Sequence, residues 1–218
     1  PANSNAGQGG RMPDDSFERQ LGALEGRLIV GVDEVGRGPL AGPVTAAAVI
    51  LDLRRLPQWL REALDDSKVL PHQRRVELAE AVKDYAITAV ASCSAAEVDA
   101  MNILQASLLA MRRAVAALGV TPDAALIDGI QKPDLGCEER CLVGGDGLSL
   151  SIAAASIIAK VARDGHMEEL AGHHPGYGWE RNRGYGTPEH RRALQELGPS
   201  VEHRRSFSPI RQLLLPNI

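Results

Sequence analysis

The sequence predicts an α/β fold, in which a mixed five-stranded sheet carries helices on both faces and a small helical extension follows at the C-terminus. The first two predicted strands have little chain between them and a third follows, which favours an antiparallel meander. Two later strands are separated from these by helices, a pattern typical of helices packed on a partly parallel sheet. The 218 residues, 44% hydrophobic and 24% charged, suit one globular domain with a small appendage.

The first half of the chain supplies a lead-in, three strands and two helices. Residues 1–26 are rich in Pro, Asn, Ser and Gly, which predicts a flexible lead-in with a short helix near residues 16–24. A continuous apolar run at residues 28–32 is typical of a buried central strand. The further elements predicted here are strands at Val44–Leu51 and Ala86–Cys93 and helices at residues 54–64 and 71–84.

The second half of the chain alternates helices and strands. Ser94 and Glu97 have the spacing of a capping box, which opens a helical region. Apolar residues then recur three or four positions apart as far as Gly119, so they form one face of a helix that packs in the core. These apolar residues are Met101, Leu104, Leu108, Met111, Val115 and Leu118. The remaining predicted elements are strands at Ala124–Asp128 and 141–143 and helices at 150–171, 189–197 and 209–215.

The C-terminal segment, residues 173–218, differs from the rest of the chain in charge. The segment contains seven arginines and only four glutamates, although the whole chain carries a net charge of −4. The segment also holds four of the seven aromatic residues, Tyr177, Trp179, Tyr185 and Phe207. Basic residues interleaved with aromatic ones suit a phosphate backbone with stacked sugars or bases. The competing interpretation is a surface helix with ordinary solvated charges.

The cysteine content and the apolar runs bear on the cellular compartment. Three cysteines are too few, and odd in number, for a disulfide framework, so we expect reduced thiols. No apolar run approaches the ~18 residues that a membrane helix needs, and residues 1–20 lack the apolar core of a signal peptide. We therefore expect a cytoplasmic protein without membrane contact.

Four acidic residues are placed where predicted strands end. Asp33 and Glu34 follow the first strand, Asp128 ends the fourth, and Asp146 follows the fifth within a Gly-Gly-Asp-Gly sequence. Acids gathered at one sheet edge would repel each other unless cations intervene, and hard divalent cations prefer oxygen ligands. Because neighbouring strand residues point to opposite faces, Asp33 and Glu34 can share a site only if the strand ends or bends there.

Two long motifs are highly specific, which are Val-Asp-Glu-Val-Gly-Arg-Gly-Pro-Leu-Ala-Gly-Pro at residues 32–43 and the Ser-Ile-Ala-Ala-Ala-Ser stretch that opens residues 151–164. With five shorter motifs, they resemble those of the ribonuclease HII family, the type 2 ribonucleases H. The resemblance covers about residues 28–210, with all motifs in order. The others are Asp66-Ser-Lys68, Asn102-Ile-Leu104, Leu126-Ile-Asp-Gly129, Gly184-Tyr-Gly-Thr187 and His203-Arg-Arg-Ser-Phe207.

The resemblance implies a ribonuclease H-like fold, with a catalytic domain over residues 27–172 and a C-terminal segment, residues 173–218, that contributes to substrate binding. It implies four catalytic, metal-binding acids, which are Asp33, Glu34, Asp128 and Asp146. It further implies that Gly36, Arg37 and Gly38 read the 2′-OH of a ribonucleotide through their backbone, and that Tyr185 packs on the deoxyribose on its 3′ side. We expect supporting roles for Lys68, Ser156, Lys160, Asp164, Arg181 and Arg183.

One position departs from the family pattern, because Gly144 stands where a lysine is usual, two residues before the last acid. Asp164 is therefore an alternative fourth acid, although its place inside a predicted helix, four residues after Lys160, favours a supporting role.

The activity implied by the resemblance is that of an endoribonuclease with two Mg²⁺ or Mn²⁺ ions. It would act as a monomer on RNA–DNA hybrids and on DNA duplexes that contain ribonucleotides, cutting 5′ to the ribonucleotide and leaving 3′-OH and 5′-phosphate ends. Two alternatives are a catalytically silent nucleic-acid-binding protein and another metal-dependent nuclease, such as a DNA resolvase. The presence of all four acids argues against the first, and the Gly-Arg-Gly and Gly-Tyr-Gly-Thr segments argue against the second.

Overall fold

The computed structural model describes residues 13–65 and 70–215, and it contains the predicted mixed five-stranded sheet. The strands are β1 (Ile29–Val35), β2 (Val44–Leu51), β3 (Ala86–Cys93), β4 (Ala124–Asp128) and β5 (Glu138–Leu142). Their order in the sheet is β3-β2-β1-β4-β5. β1 pairs antiparallel with β2, and β2 with β3, whereas β4 runs parallel to both β1 and β5.

Helices cover both faces of this sheet, as the sequence predicts. The described α-helices are α1 (Ser16–Gln20), α2 (Gln58–Asp65), α3 (His72–Lys83), α4 (Ala95–Met101), α5 (Ile103–Ala116), α6 (Leu150–His173), α7 (Trp179–Asn182), α8 (Pro188–Leu197) and α9 (Ser208–Leu214). α5 packs on one face, and α6 packs on the other together with α2 and α3. No described helix is long and apolar enough to cross a membrane.

The first turn of α6 lies directly on the central strand. A Cβ atom at Gly31 of β1 would overlap the backbone of Ser151, so only glycine allows this close approach. The small residues at the start of α6, Ala153, Ala154 and Ala155, are fully buried there. The contact sets the position of α6 relative to β1, the strand that carries Asp33 and Glu34.

Several element boundaries differ from those predicted. The helical region after Ser94 forms the predicted capping box, but it is divided at Asn102, whose φ of 72° interrupts the helix and whose side chain caps α5. α6 continues through Gly172 to His173, because a glycine inside a long packed helix costs only about 1 kcal/mol. β5 begins earlier than the predicted 141–143, because its polar residues are held by pairing along β4.

The predicted lead-in was too long at its C-terminal end. Residues 1–12 lie outside the described residues, but α1 packs against the domain through Glu18, which is 1% exposed. The Glu18 carboxylate accepts hydrogen bonds from the backbone N–H of Ser151 and from the hydroxyls of Ser149 and Ser151, at 2.6–2.9 Å. Residues 16–25 are thus built into the fold beside the start of α6.

The C-terminal segment shares a core with the rest of the chain. Tyr177 and Trp179 are buried beside Met167 of α6 and against Leu40 and Ala41, in the loop between β1 and β2. This packing joins the loop after the acid-bearing strand to the basic, aromatic segment that the sequence predicts to bind substrate.

Candidate active site

Asp33 and Glu34 lie inside β1, and the expectation that they follow the end of that strand was wrong. β1 continues to Val35 because Asp33, Glu34 and Val35 pair with residues of β2. Val32 faces α5, so the alternation along the strand directs Glu34 to the same side and Asp33 to the side of α6. The two acids therefore leave the strand on opposite faces of the sheet.

Asp128, at the end of β4, is a neighbour of both acids. Val32 of β1 is paired with Ile127 of β4, so the next position along these parallel strands places Asp128 beside Asp33. Asp128 also lines a cleft of about 310 Å³ with Glu34 and Arg37. The end of β4 is thus the point where the two acids of β1 share a neighbour.

Burial and mutual repulsion control the charge of these acids. Asp33 is 6% exposed, and this burial, followed by the charges of Asp128 and Glu34, raises its pKa to about 8. Burial also raises the pKa of Glu34, against the opposing effect of the Arg37 guanidinium, which lies 3.1 Å from its carboxylate. A hydrogen bond with Ser156 of α6 favours the charged form of Asp33. The cluster therefore disfavours three carboxylate charges at once unless a cation neutralises them.

The chemistry of these donors fits a hard divalent cation. Carboxylate oxygens are the ligands that Mg²⁺ and Mn²⁺ prefer, and a bound cation would offset the repulsion that raises the pKa of Asp33. Among residues 13–65 and 70–215, however, no three His, Cys, Asp or Glu side chains are arranged to enclose a metal ion. Asp33, Glu34 and Asp128 are neighbours, and they do not form a finished coordination shell.

Asp146 lies in a short 3-10 turn, Gly145–Gly147, beside this cluster. The backbone N–H of Gly145 donates a 2.6 Å hydrogen bond to the Asp128 carboxylate. Gly144, the position that departs from the family pattern, has a φ of 65° and begins this turn in the left-handed region that favours glycine. The structure therefore places Asp146 one residue from a direct partner of Asp128.

Asp164, the alternative fourth acid, is engaged with basic residues. It is 3% exposed on α6 and accepts a 2.7 Å hydrogen bond from the Lys160 ammonium. The Arg183 Nε lies 3.9 Å from the same carboxyl group. Asp164 thus connects α6 to the segment that precedes Tyr185.

The proposed substrate-reading residues lie next to one another. The Tyr185 ring atom Cε1 is 3.7 Å from the position that a Cβ would take at Gly38, and Tyr185 is 44% exposed. The backbone N–H of Leu40 donates to the carbonyl of Gly184 at 2.8 Å, which joins the two segments. Gly36 has a φ of 91°, which turns the chain immediately after β1.

The predicted supporting residues differ in how far they are buried. Arg183 is mostly buried and pairs with Glu168 at 2.5 Å. Arg181 is exposed and forms ion pairs with Glu180 and Glu189, so its guanidinium is already occupied on the surface. The Asp66-Ser-Lys68 motif lies outside the described residues, and with it the predicted role of Lys68.

Sequence reasoning missed two arginines that hold this region together. Arg163 and Arg204 are both 0% exposed and donate to backbone carbonyls around residues 36–43. Both occur within motifs of the family resemblance, which was the available signal. Their burial could not be inferred, because arginines are rarely fully buried.

Comparisons of the sequence with known proteins all point to one family. The family model described as Ribonuclease HII matches residues 30–209. A ribonuclease HII from Paramagnetospirillum magneticum is 57% identical over 204 residues, which cover 94% of this chain and 100% of that protein. Another, from Parvibaculum lavamentivorans, is 54% identical over 208 residues, which cover 95% of this chain and 76% of that protein.

Solved structures confirm the ribonuclease H-like fold. In a PCNA:RNase HII complex from Archaeoglobus fulgidus, a chain with 26% identity superposes with a TM-score of 0.71, covering 88% of this chain and 98% of that one. The ribonuclease H2 from Pyrococcus horikoshii OT3 superposes with the same TM-score at 24% identity, covering 85% and 96% of the two chains.

Proposed function

The chain belongs to the ribonuclease HII family and is a type 2 ribonuclease H, and on that premise we propose that it hydrolyses the RNA strand of RNA–DNA hybrids and cuts 5′ to a single ribonucleotide in duplex DNA. The products would carry 3′-OH and 5′-phosphate ends. The observation that carries the proposal is the junction at the end of β1. There a buried acid cluster is followed within a few residues by a glycine-rich loop that lies against an exposed tyrosine.

The acids are proposed to hold divalent cations. Asp33, Glu34 and Asp128 would be the main ligands, and Asp146 the fourth, because its turn is hydrogen-bonded to Asp128. Two bound Mg²⁺ or Mn²⁺ ions would supply an activated water and stabilise the leaving 3′-oxygen. Within the chain, burial keeps this region poorly hydrated and Ser156 orients Asp33, while Arg37 neutralises part of the charge on Glu34.

The loop after β1 is proposed to recognise the ribose. Discrimination of RNA from DNA requires contact with the 2′-OH. Gly36 and Gly38 carry no side chain, so the backbone between them can approach that hydroxyl closely. The exposed face of Tyr185, beside Gly38, would then pack on the deoxyribose that follows the ribonucleotide. Together the two contacts would select a junction between RNA and DNA.

The basic C-terminal segment is proposed to hold phosphates of the duplex. Phosphate contacts position a nucleic acid without reading its sequence. Arg181 would first have to exchange its ion pairs with Glu180 and Glu189 for a phosphate. Such an exchange on the surface costs little, because exposed ion pairs contribute only about 0–1 kcal/mol.

We also propose that the protein is a cytoplasmic monomer. The described cysteines, Cys93, Cys137 and Cys141, are free thiols, as expected for a reducing compartment. Light scattering on the purified full chain would give a mass near 23.3 kDa for a monomer.

The function can be tested with three labelled duplexes, which are an RNA–DNA hybrid, a DNA duplex with one ribonucleotide, and an all-DNA duplex of the same sequence. With Mg²⁺ or Mn²⁺ we expect cleavage of the first two and none of the third, and with EDTA we expect no cleavage. Binding of all three without cleavage would indicate a silent nucleic-acid-binding protein. Cleavage of the all-DNA duplex would indicate a different nuclease.

A further inference from the structure

Two arginines are buried beneath the loop between β1 and β2. Arg163 of α6 and Arg204, which precedes α9, are both 0% exposed. A buried charge is costly unless hydrogen bonds replace the lost water. Within the described residues, six hydrogen bonds leave the two guanidinium groups, and each ends on a backbone carbonyl oxygen.

Arg204 binds the glycine-rich loop at three points. Its guanidinium donates to the carbonyls of Gly36 at 2.6 Å, Arg37 at 2.9 Å and Gly42 at 3.0 Å. The Phe207 ring lies against the same guanidinium, 5.1 Å from ring centroid to Cζ. A guanidinium presents its donors in a fixed planar fork, so it fixes the directions of these carbonyls as well as their distances.

Arg163 connects the same loop to the segment that carries Tyr185. It donates to the carbonyls of Pro43 at 2.9 Å and Ala41 at 3.2 Å, and also to the carbonyl of Arg183 at 3.0 Å. A Cβ atom at Gly36 would overlap the Arg163 side chain, so the loop and the arginine are packed tightly. One side chain therefore sets the relative position of both proposed substrate-reading segments.

The direction of the carbonyls determines the direction of the amides. In a trans peptide the C=O of one residue points away from the N–H of the next, and the described peptide bonds are all trans. Because Arg204 holds the carbonyls of Gly36 and Arg37, the N–H groups of Arg37 and Gly38 point to the side of the loop away from that arginine. Neither N–H donates a hydrogen bond to a described residue.

We propose that Arg163 and Arg204 are positioning residues, which hold the loop so that the N–H groups of Arg37 and Gly38 face the substrate and select a ribonucleotide. This inference rests on the proposed function, because it assigns the selection of the 2′-OH to these two amides. Neither arginine touches the substrate. They restrict the conformations of the loop before the substrate binds, which lowers the free-energy cost of ordering the loop on binding.

The test uses Arg204→Lys, which keeps the positive charge but lacks the planar set of donors that a guanidinium provides. Cleavage of the duplex with one ribonucleotide gives kcat/KM, and inhibition of that reaction by the all-DNA duplex gives Ki, which measures binding without a 2′-OH. We expect kcat/KM to fall about a hundredfold, the scale caused by a misplacement of about 1 Å. Ki should stay within about twofold, because phosphate contacts do not depend on the loop. Arg163→Lys should lower kcat/KM on a similar scale, because Arg163 donates to carbonyls of the same loop.

The matched control is Arg112→Lys, because Arg112 also donates to a backbone carbonyl, that of Pro133 at 2.8 Å, but away from the loop. It should leave both constants unchanged. Equal changes in kcat/KM and Ki for Arg204→Lys, or no change in a folded protein, would overturn the inference. If the wild type itself cleaves no ribonucleotide-containing duplex, the proposed function fails instead.

Amide hydrogen exchange of the free wild-type chain gives a second test that does not depend on the variants folding. The amides of Leu40 and Gly42 donate to the carbonyls of Gly184 and Glu202, at 2.8 and 2.9 Å, and should be protected. The amides of Arg37 and Gly38 should exchange rapidly in the same loop. Protection of the Arg37 and Gly38 amides, or rapid exchange of all four amides, would contradict the proposal that the arginines hold the loop in one conformation.

Discussion

At the scale of single residues, the environment of Asp33 strongly disfavours its charged form. Burial and two neighbouring acids raise its pKa to about 8, so without a cation it is largely protonated near neutral pH. The same surroundings that disfavour the lone carboxylate would favour the proposed divalent cation.

Replacement of this acid should separate activity from stability. Asp33→Asn keeps the volume of the side chain and removes a charged ligand, so we expect a loss of activity of roughly 10³-fold or more, about 4 kcal/mol on the barrier. The melting temperature without metal should not fall, because burial and the neighbouring acids already disfavour the carboxylate that the variant removes. Single-turnover cleavage and thermal denaturation measure the two effects. Substantial cleavage by a well-folded Asp33→Asn protein would contradict the metal site.

The choice of the fourth acid can be decided by comparing Asp146→Asn with Asp164→Asn. Asp164 is buried and bound to Lys160, so its replacement should lower the melting temperature more than the turnover. Asp146 lies at the cluster beside the partner of Asp128, so its replacement should act mainly on turnover. Turnover and melting temperature of both variants give the answer, and the reverse pattern would place the fourth acid on α6.

Tyr185 should act through the face of its ring. Its exposure of 44% argues against the alternative of a buried core tyrosine. Stacking on a sugar or base contributes about 1–3 kcal/mol, so Tyr185→Ala should lower cleavage at a single ribonucleotide about tenfold or more. Cleavage within a long RNA strand should fall less, because the 3′ neighbour is then a ribose.

Two measurements control this result. Tyr185→Phe should keep much of the activity, since the hydroxyl has no part in the proposed contact. Equal losses on both substrates, together with a lower melting temperature, would show that Tyr185 supports the fold and does not read the junction.

At the scale of elements, the sequence predicted best where one local signal was sufficient. The bounds of β2, β3 and β4 agree with the prediction, since each is an uninterrupted apolar or β-prone run between turn residues. The missed boundaries depend on distant partners. β1 extends over Asp33 and Glu34 only because β2 pairs with it, and the polar β5 exists because β4 is beside it.

The buried pair of histidines in the C-terminal segment links α8 to the Tyr185 loop. His190 Nδ1 lies 2.9 Å from the Tyr185 carbonyl and must donate to it, so its Nε2 accepts from Trp179 at 3.1 Å. His203 accepts from the N–H of Ser200 through Nδ1, so its Nε2 donates to His190 at 3.0 Å. Both rings are therefore neutral in this network, and a further proton would place two donors against each other.

This arrangement predicts acid sensitivity. Burial, and then the neighbouring His190, lowers the pKa of His203 from the usual 6.5 to about 4. The unfolded chain therefore takes up a proton as pH falls below about 6.5 while the folded chain does not, so stability is full above that pH and is lost towards pH 4. Melting temperatures at pH 7.5 and pH 5 should differ more for the wild type than for His203→Gln. An equal difference would show that this pair does not control acid sensitivity.

At the scale of the whole molecule, the fold brings together residues that the sequence places far apart. The acids come from β1 and β4, and the C-terminal segment shares a core with α6 and with the loop between β1 and β2. The sequence motifs were sufficient to predict that Asp33, Glu34 and Asp128 lie close together beside the glycine-rich loop. They could not reveal that Arg163 and Arg204 are buried, because that depends on carbonyls contributed by the loop after β1 and by Arg183.

The most direct test of the account is to map the cut in a duplex with one ribonucleotide, labelled at either end of that strand. We predict a single metal-dependent cut on the 5′ side of the ribonucleotide, with a 3′-OH on the upstream fragment and a 5′-phosphate on the ribonucleotide. A cut on the 3′ side that leaves a 2′,3′-cyclic phosphate would mean that the 2′-OH itself attacks, and it would contradict the proposal of a metal-activated water held by the acid cluster.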